Sequence, residues 1–224
     1  MVSGFQSANM LMKYCKKPVV TAPHGNTLGG GAEIAMHGYM QVAHAETYIG
    51  LVELGVGLVP AGGGTKEILY RFTEGLGKAP KSELLTYVKK AWNTIAMGSV
   101  SSSAHDGIKK GYIRNSDIIV MNLDYQVDEA KRAVMQLFNA GFKPKIKNDI
   151  KVTGTTGRGY LREAYLFLKN KKDFSEYDAF LADKVAAILT GGNVAEGTTL
   201  SEERILELEK EAFLSENKAH VNQG

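Results

Sequence analysis

Lys17-Pro18-Val19-Val20-Thr21-Ala22-Pro23-His24-Gly25-Asn26-Thr27-Leu28-Gly29-Gly30-Gly31-Ala32-Glu33 is the stretch that decides how this chain is read. Residues 18–22 are a short β-branched run of the kind that forms a buried strand. The three glycines leave a backbone with no side chain in the way, so their amides can come close to a ligand oxygen. If a helix starts at these glycines, its first N–H groups have no intrahelical acceptor and carry partial positive charge. Glu33 stands two positions beyond the last glycine. The result is an anion-stabilising turn with a carboxylate beside it.

Working outward, strands are expected over residues 39–43 and 47–49, and a helix over 64–72. Strand and helix alternate, so α/β is the fold class. Upstream, residues 5–14 carry a helical apolar pattern in Phe5, Ala8 and Met12. Downstream the chain turns helical. Ser82 is read as the cap of a segment with Leu84, Val88, Ala91 or Trp92, and Ile95 on one face. Residues 124–140 place Val127, Ala130, Val134 and Leu137 likewise, with Gly141 just past the end. Tyr112-Ile113 and residues 118–121 are candidate strands. Three more helices are expected over 161–168, 176–189 and 201–214, with a capping box for the last in Thr199-Leu200-Ser201-Glu202. A soft boundary near residues 141–159 separates a core over 1–140 from a helical region over 141–224.

Composition narrows the function classes. The chain has 224 residues, 44% hydrophobic and 23% charged, which is enough for one or two domains with a real core. No apolar run is long enough for a membrane span. Met1-Val2-Ser3-Gly4-Phe5-Gln6-Ser7 has neither a basic end nor an apolar core, so no cleavable signal is expected. A single cysteine, Cys15, excludes an intrachain disulfide and a cysteine-built zinc site. It fits a reducing compartment, and the cytoplasm is the expected location. The net charge of +3 gives no case for nucleic acid. The basic residues cluster at Lys143, Lys145, Lys147, Lys151, Arg158, Arg162, Lys169, Lys171 and Lys172. A solvated face explains such a run; the functional reading is a patch that meets coenzyme A phosphates. Residues 202–216 are the reverse, rich in glutamate.

The Lys17-Pro18 strand, Leu28-Gly29-Gly30-Gly31-Ala32-Glu33, Ile49-Gly50-Leu51-Val52-Glu53, Gly57-Leu58-Val59-Pro60 and Gly62-Gly63-Gly64-Thr65 occur in that order. At motif level residues 17–66 resemble the crotonase (enoyl-CoA hydratase/isomerase) superfamily. The remainder resembles, less diagnostically, the C-terminal part of a bacterial multifunctional fatty-acid oxidation protein, through Thr94-Ile95-Ala96-Met97, Ser102-Ser103-Ala104, Gly191-Gly192-Asn193 and residues 208–214. The resemblance implies a partial crotonase-type ββα spiral followed by a mainly helical C-terminal region. It implies Glu33 and Glu53 as the catalytic acids, and Gly30 as an oxyanion-hole amide. Gly29, Ala61 and Gly62 would line the thioester. No metal or cofactor is implied for this module. The coenzyme A thioester is the substrate, and NAD enters only with an upstream dehydrogenase domain. A homo-oligomer or that dehydrogenase domain is the expected partner.

Hydrating an α,β-unsaturated thioester places negative charge on the carbonyl oxygen. Losing one preorganised donor to such an oxygen costs ~10²–10³ in rate. The attacking water also needs a base and the α-carbon a proton, help worth ~10²–10⁴. Read from the residues alone, Glu33 is a helix N-terminal carboxylate and Glu53 an ordinary loop acid. Two acids favour a hydratase over an isomerase, which would use Glu53 as sole proton shuttle. A catalytically silent docking or assembly fragment is the reading from another class.

Other motifs read as structure. Gly62-Gly63-Gly64-Thr65-Lys66 lacks the first glycine of a phosphate loop, because Val59 stands there. Gly55-Val56-Gly57-Leu58-Val59-Pro60 ends in proline where a dinucleotide fingerprint needs glycine. His24, His37, His44, His105 and His220 have no metal-ligand spacing. Ser102 and Ser103 near His105 form a helix cap rather than a nucleophile pair. The family's first oxyanion donor and adenine pocket come from upstream of the Lys-Pro strand, in an Ala-Asp-type segment that does not appear among the residues before Lys17. The chain is therefore expected to be a piece of a crotonase module.

Overall fold

A computed structural model of the chain describes residues 1–147, 149–169 and 175–221. In chain order its regular elements are α1 (Val2–Lys13), β1 (Val20–Thr21), β2 (Gly25–Leu28), α2 (Gly30–His37), β3 (Met40–His44), β4 (Thr47–Gly50), α3 (Gly64–Thr73) and α4 (Lys81–Ala96). There follow α5 (Ala104–Lys109), β5 (Ile118–Val120), α6 (Gln126–Asn139), β6 (Ile150–Lys151), α7 (Gly154–Lys169), α8 (Glu176–Leu189), β7 (Thr199–Leu200) and α9 (Glu202–Val221). The class is α/β, with a helical C-terminal region. The elements fall into two compact units, Met1–Leu51 with Ser99–Lys147, and Val52–Gly98 with Asn148–Gly224.

The first unit is a parallel spiral. Two turns of chain each lay one strand into each of two sheets, and β5 extends the first sheet. Val20 pairs with Met40, and Val42 with Ile118, giving a parallel sheet in the order β1-β3-β5. Gly25 pairs with Thr47 and Leu28 with Gly50, so β2 and β4 form a second parallel pair one corner further along. Parallel neighbours need a crossover, and α2 lies in the connections from β1 to β3 and from β2 to β4. Ala32, Met36, Val42, Ala43 and Ile49 are buried around it. Gln126, at the start of α6, donates to the carbonyls of Pro23 and Val42, both at 2.8 Å. One buried side chain thus satisfies acceptors from β3 and from the link between β1 and β2.

Several expectations change here. α1 buries Gln6, Asn9 and Lys13, three residues of one face, while Ala8 is exposed and Phe5 and Met12 are half-buried. Buried polar groups persist where they are partnered, and each of these three engages a partner. β1 is only Val20–Thr21, and β2 is a strand that apolar patterning alone does not announce. Tyr112-Ile113 is no strand. The Tyr112 carbonyl accepts from the Gln41 side chain at 2.8 Å, and the Tyr112 hydroxyl donates to Ser99 and accepts from the Leu51 amide. Side-chain bonds replace a ladder. On α6 the buried residues are Gln126 and Ala133, and Val127 is exposed.

The second unit is built mainly of α3, α4, α7, α8 and α9, with β6 and β7 as a short antiparallel clip. α4 buries Leu84, Val88, Ala91, Trp92 and Ile95 as the pattern predicts, and Trp92 Nε1 donates to the Ala182 carbonyl of α8 at 3.0 Å. Pro80, not Ser82, is its N-cap residue; Ser82 lies inside the helix and its carbonyl accepts from the Thr86 hydroxyl. α7 starts at Gly154, ahead of the expected 161. Thr199 belongs to β7, and the α9 cap is Ser201, which accepts from the Arg204 amide at 3.2 Å. Ser103 does cap α5, accepting from the Asp106 amide.

Candidate active site

The glycine run builds its site from the backbone. Gly29 takes φ 52° and ψ −125°, a region that penalises side chains. Its amide finishes the β2–β4 ladder by donating to Gly50 at 2.9 Å, and its carbonyl accepts from the Glu33 amide at 3.0 Å. The chain therefore leaves a strand and enters α2 within one residue. Gly30 is the first helical residue, and among the described residues its N–H has no acceptor. The Phe5 ring of α1 lies 3.6 Å from where a Gly30 Cβ would stand. Glu33 follows on the same turn and is buried, at 3% exposure. A helix N-terminus is the favourable place for a buried carboxylate. One turn later the His37 Nδ1 meets the Glu33 carbonyl at 2.6 Å, which requires the proton on Nδ1.

Glu53, Ala61 and Gly62 belong to the second unit. Glu53 opens a 3-10 turn, Glu53–Val56, and its carbonyl accepts from the Leu58 amide at 3.0 Å. Beside it lies a cavity of about 300 Å³ lined by Val52, Leu54, Ala96, Met97 and Asp178. Its walls are mainly apolar, apart from the Asp178 carboxylate. Ala61 and Gly62 are buried and lead directly into α3. The structure thus groups Gly29, Gly30 and Glu33 on one turn, and runs Glu53 to Ala61 and Gly62 as one loop.

Sequence reasoning passed over the residues that hold this second loop. Gly63, at φ 102°, donates to the Glu209 carboxylate at 2.8 Å, and the Lys66 amide donates to the same carboxylate at 2.6 Å. The Lys66 ammonium lies 3.0 Å from Glu67 and 2.9 Å from Glu202. Burial pulls the Lys66 pKa down, but Glu67 and Glu202 outweigh it and hold the group above its ordinary value. The glutamate-rich stretch therefore does not simply face water. Glu202 and Glu209 are seven residues apart, on the face of α9 that also buries Ile205, Leu206 and Ala212. That period was the available signal.

The basic run does not form one patch on one unit. Lys143, Lys145 and Lys147 belong to the first unit, Lys151, Arg158 and Arg162 to the second. Lys151 donates to the Gly77 carbonyl, and Arg158 pairs with Asp183 at 2.7 Å. Lys171 and Lys172 lie outside the described residues. Among the described residues no three His, Cys, Asp or Glu side chains gather as metal ligands, and no helix is long and apolar enough to cross a membrane.

The family model described as enoyl-CoA hydratase/isomerase matches residues 4–110. Those residues belong to the crotonase superfamily. The match takes in the glycine turn, Glu33, Glu53, α3 and α4. A probable 3-hydroxyacyl-CoA dehydrogenase of Bacillus subtilis is 39% identical over 214 residues, 96% of this chain and 26% of that protein. A peroxisomal fatty acid beta-oxidation multifunctional protein of Arabidopsis thaliana is 32% identical over 170 residues, 74% of this chain and 20% of that protein. The chain therefore spans about a quarter or less of the length of these relatives. Among solved structures, an enoyl-CoA hydratase from Bacillus anthracis aligns over 84% of this chain and 59% of its own, at 19% identity and a TM-score of 0.49.

Proposed function

We propose that this chain carries the enoyl-CoA hydratase step of fatty-acid β-oxidation, adding water reversibly to trans-2-enoyl-CoA thioesters. The observation that carries this reading is the first turn of α2, where the unaccepted Gly30 N–H and the buried Glu33 stand within one helical turn. The Gly30 amide would hold the thioester oxygen as charge builds on it. Glu33 and Glu53 would orient one water and take its proton. The water oxygen bonds to the β-carbon, and a proton returned through a glutamate reaches the α-carbon, so nothing is oxidised or reduced. Gly29, Ala61 and Gly62 would line the thioester, and the cavity beside Glu53 suits an acyl chain. Burial of Glu33 on the oxyanion turn favours hydration over an isomerisation that uses Glu53 alone, and over a silent docking role.

The module itself needs no metal or redox group. NAD belongs to this proposal only through a dehydrogenase domain of the same protein, which the name of the Bacillus subtilis relative suggests. That domain, or a second copy of the chain, is the proposed partner, and the cytoplasm the proposed setting, in keeping with a lone free Cys15.

The test is steady-state hydration of a short enoyl-CoA by the protein and by Glu33→Gln and Glu53→Gln. Each substitution should lower turnover by at least ~10², the low end for lost acid–base help, with thioester binding kept. Near wild-type turnover in either variant would show that the two-carboxylate mechanism is wrong.

A further inference from the structure

The loop that carries Glu53, Ala61 and Gly62 is pinned at two points by helices that lie more than a hundred residues later in the chain. At one point the Tyr177 hydroxyl of α8 donates to the Gly57 carbonyl at 3.0 Å. At the other, Glu209 of α9 accepts from the amides of Gly63 and Lys66, at 2.8 and 2.6 Å. Between these points the chain runs through Pro60, Ala61 and Gly62 with no regular structure.

Glu209 is completely buried. A carboxylate at that depth is costly unless its oxygens are bonded to donors. Here the Gly63 amide donates to one oxygen and the Lys66 amide to the other at the N-terminus of α3, where the helix dipole adds its partial positive charge. The seat that an external anion would take in a phosphate loop is therefore filled from within. Lys66, on the first turn of α3, reaches back to α9 through Glu202, so the two helices are joined by a second buried contact.

We infer that Glu209 and Tyr177 are positioning residues: they fix the Glu53–Gly62 loop in the geometry the reaction needs without touching substrate themselves. This rests on the hydratase reading for its kinetic consequence, while the clamp itself is a property of the backbone. A loop tied at Gly57 and Gly63 has few ways to shift Glu53 or the Ala61-Gly62 backbone. Freed at either point, it can misplace them by an ångström or so, and displacements of that size cost on the order of 10²-fold in rate.

The experiment uses the whole protein, with Glu209→Gln and Tyr177→Phe. In Glu209→Gln the side-chain amide could accept from only one of the two backbone N–H groups and would turn an NH₂ toward the other. Tyr177→Phe keeps the ring and removes the donor. Each variant should lower kcat for a short enoyl-CoA by ~10–10²-fold and raise KM by less, because the loop's contacts to the thioester are loosened but not removed while placement is lost. Amide exchange should speed up at Gly63 and Lys66 in Glu209→Gln and stay slow there in Tyr177→Phe. Wild-type kcat together with unaltered exchange in Glu209→Gln overturns the proposal. So does fast exchange of the Gly63 and Lys66 amides in the wild-type protein, a measurement that needs no variant to fold. If Glu209→Gln does not fold, wild-type kcat in Tyr177→Phe overturns the kinetic role. A wild-type protein that hydrates no thioester counts against the hydratase reading, and exchange at Gly63 and Lys66 still decides the clamp.

Discussion

Lys66 and Glu202 form an ion pair at 2.9 Å, with side chains 0% and 1% exposed. Glu67 shares the same ammonium and also binds Arg71 at 3.2 Å. Buried charges of this kind add little over an apolar core, but removing one partner leaves the others uncompensated.

Lys66→Met should therefore destabilise the protein by about 3–5 kcal/mol, read from urea unfolding midpoints. The double variant Lys66→Met/Glu202→Gln should recover part of the loss, giving a coupling of at least ~0.5 kcal/mol. Additive losses would show that the two groups do not depend on each other.

The same pair sets an alkaline limit. The folded pKa of Lys66 lies above its ordinary value of 10.5. Its contribution is therefore fully present below about that pH and is lost as pH rises through the raised folded pKa. Unfolding free energy should fall above pH 10.5 in the wild type, and the fall should be shallower in Lys66→Met. Equal slopes in the two proteins would assign the alkaline loss to other groups.

Gly30→Pro tests the oxyanion amide. Proline is tolerated at the first helical position and removes the N–H. Turnover should drop by ~10²–10³ with the fold kept. Gly30→Ala keeps the amide, and its Cβ would meet Phe5 at an ordinary 3.6 Å, so activity should stay near wild type. A folded Gly30→Pro variant with full activity would place the donor elsewhere.

Gly38 tests the spiral. A Cβ there would stand 2.8 Å from Thr21 Oγ1 and 3.1 Å from the Met40 carbonyl. Thr21 cannot swing away freely, because its hydroxyl donates to Ala35 at 2.9 Å. Gly38→Ala should cost about 1–3 kcal/mol in thermal or urea unfolding. An unchanged midpoint would mean that β1 gives way at little cost.

What could be read along the chain was whatever local chemistry fixes. The crossover α2 begins at Gly30 because the glycines permit the sharp turn, and α4 buries Leu84, Val88, Trp92 and Ile95 because apolar side chains recur at the helical period. Gly141 takes φ 74° just past α6, as a helix-ending glycine should. The two glutamates are singled out by resemblance to a family motif, since read from the residues alone Glu33 is a helix N-terminal carboxylate and Glu53 an ordinary loop acid.

Other features depended on which surfaces met. α1 turned its polar face inward, with Gln6, Asn9 and Lys13 each finding a partner, so an apolar count chose the wrong side. Tyr112 left the strand pattern because Gln41 took its carbonyl. Glu209 reads as one more acid in a glutamate-rich run until α3 supplies two amides for it. Composition and period determined the α/β class and where most helices run, because those follow from neighbours a few residues apart, while the family motif came from resemblance. Only the tertiary structure decided which charges are buried and what holds the Glu53 loop, because a polar group's cost depends on partners brought in from distant parts of the chain.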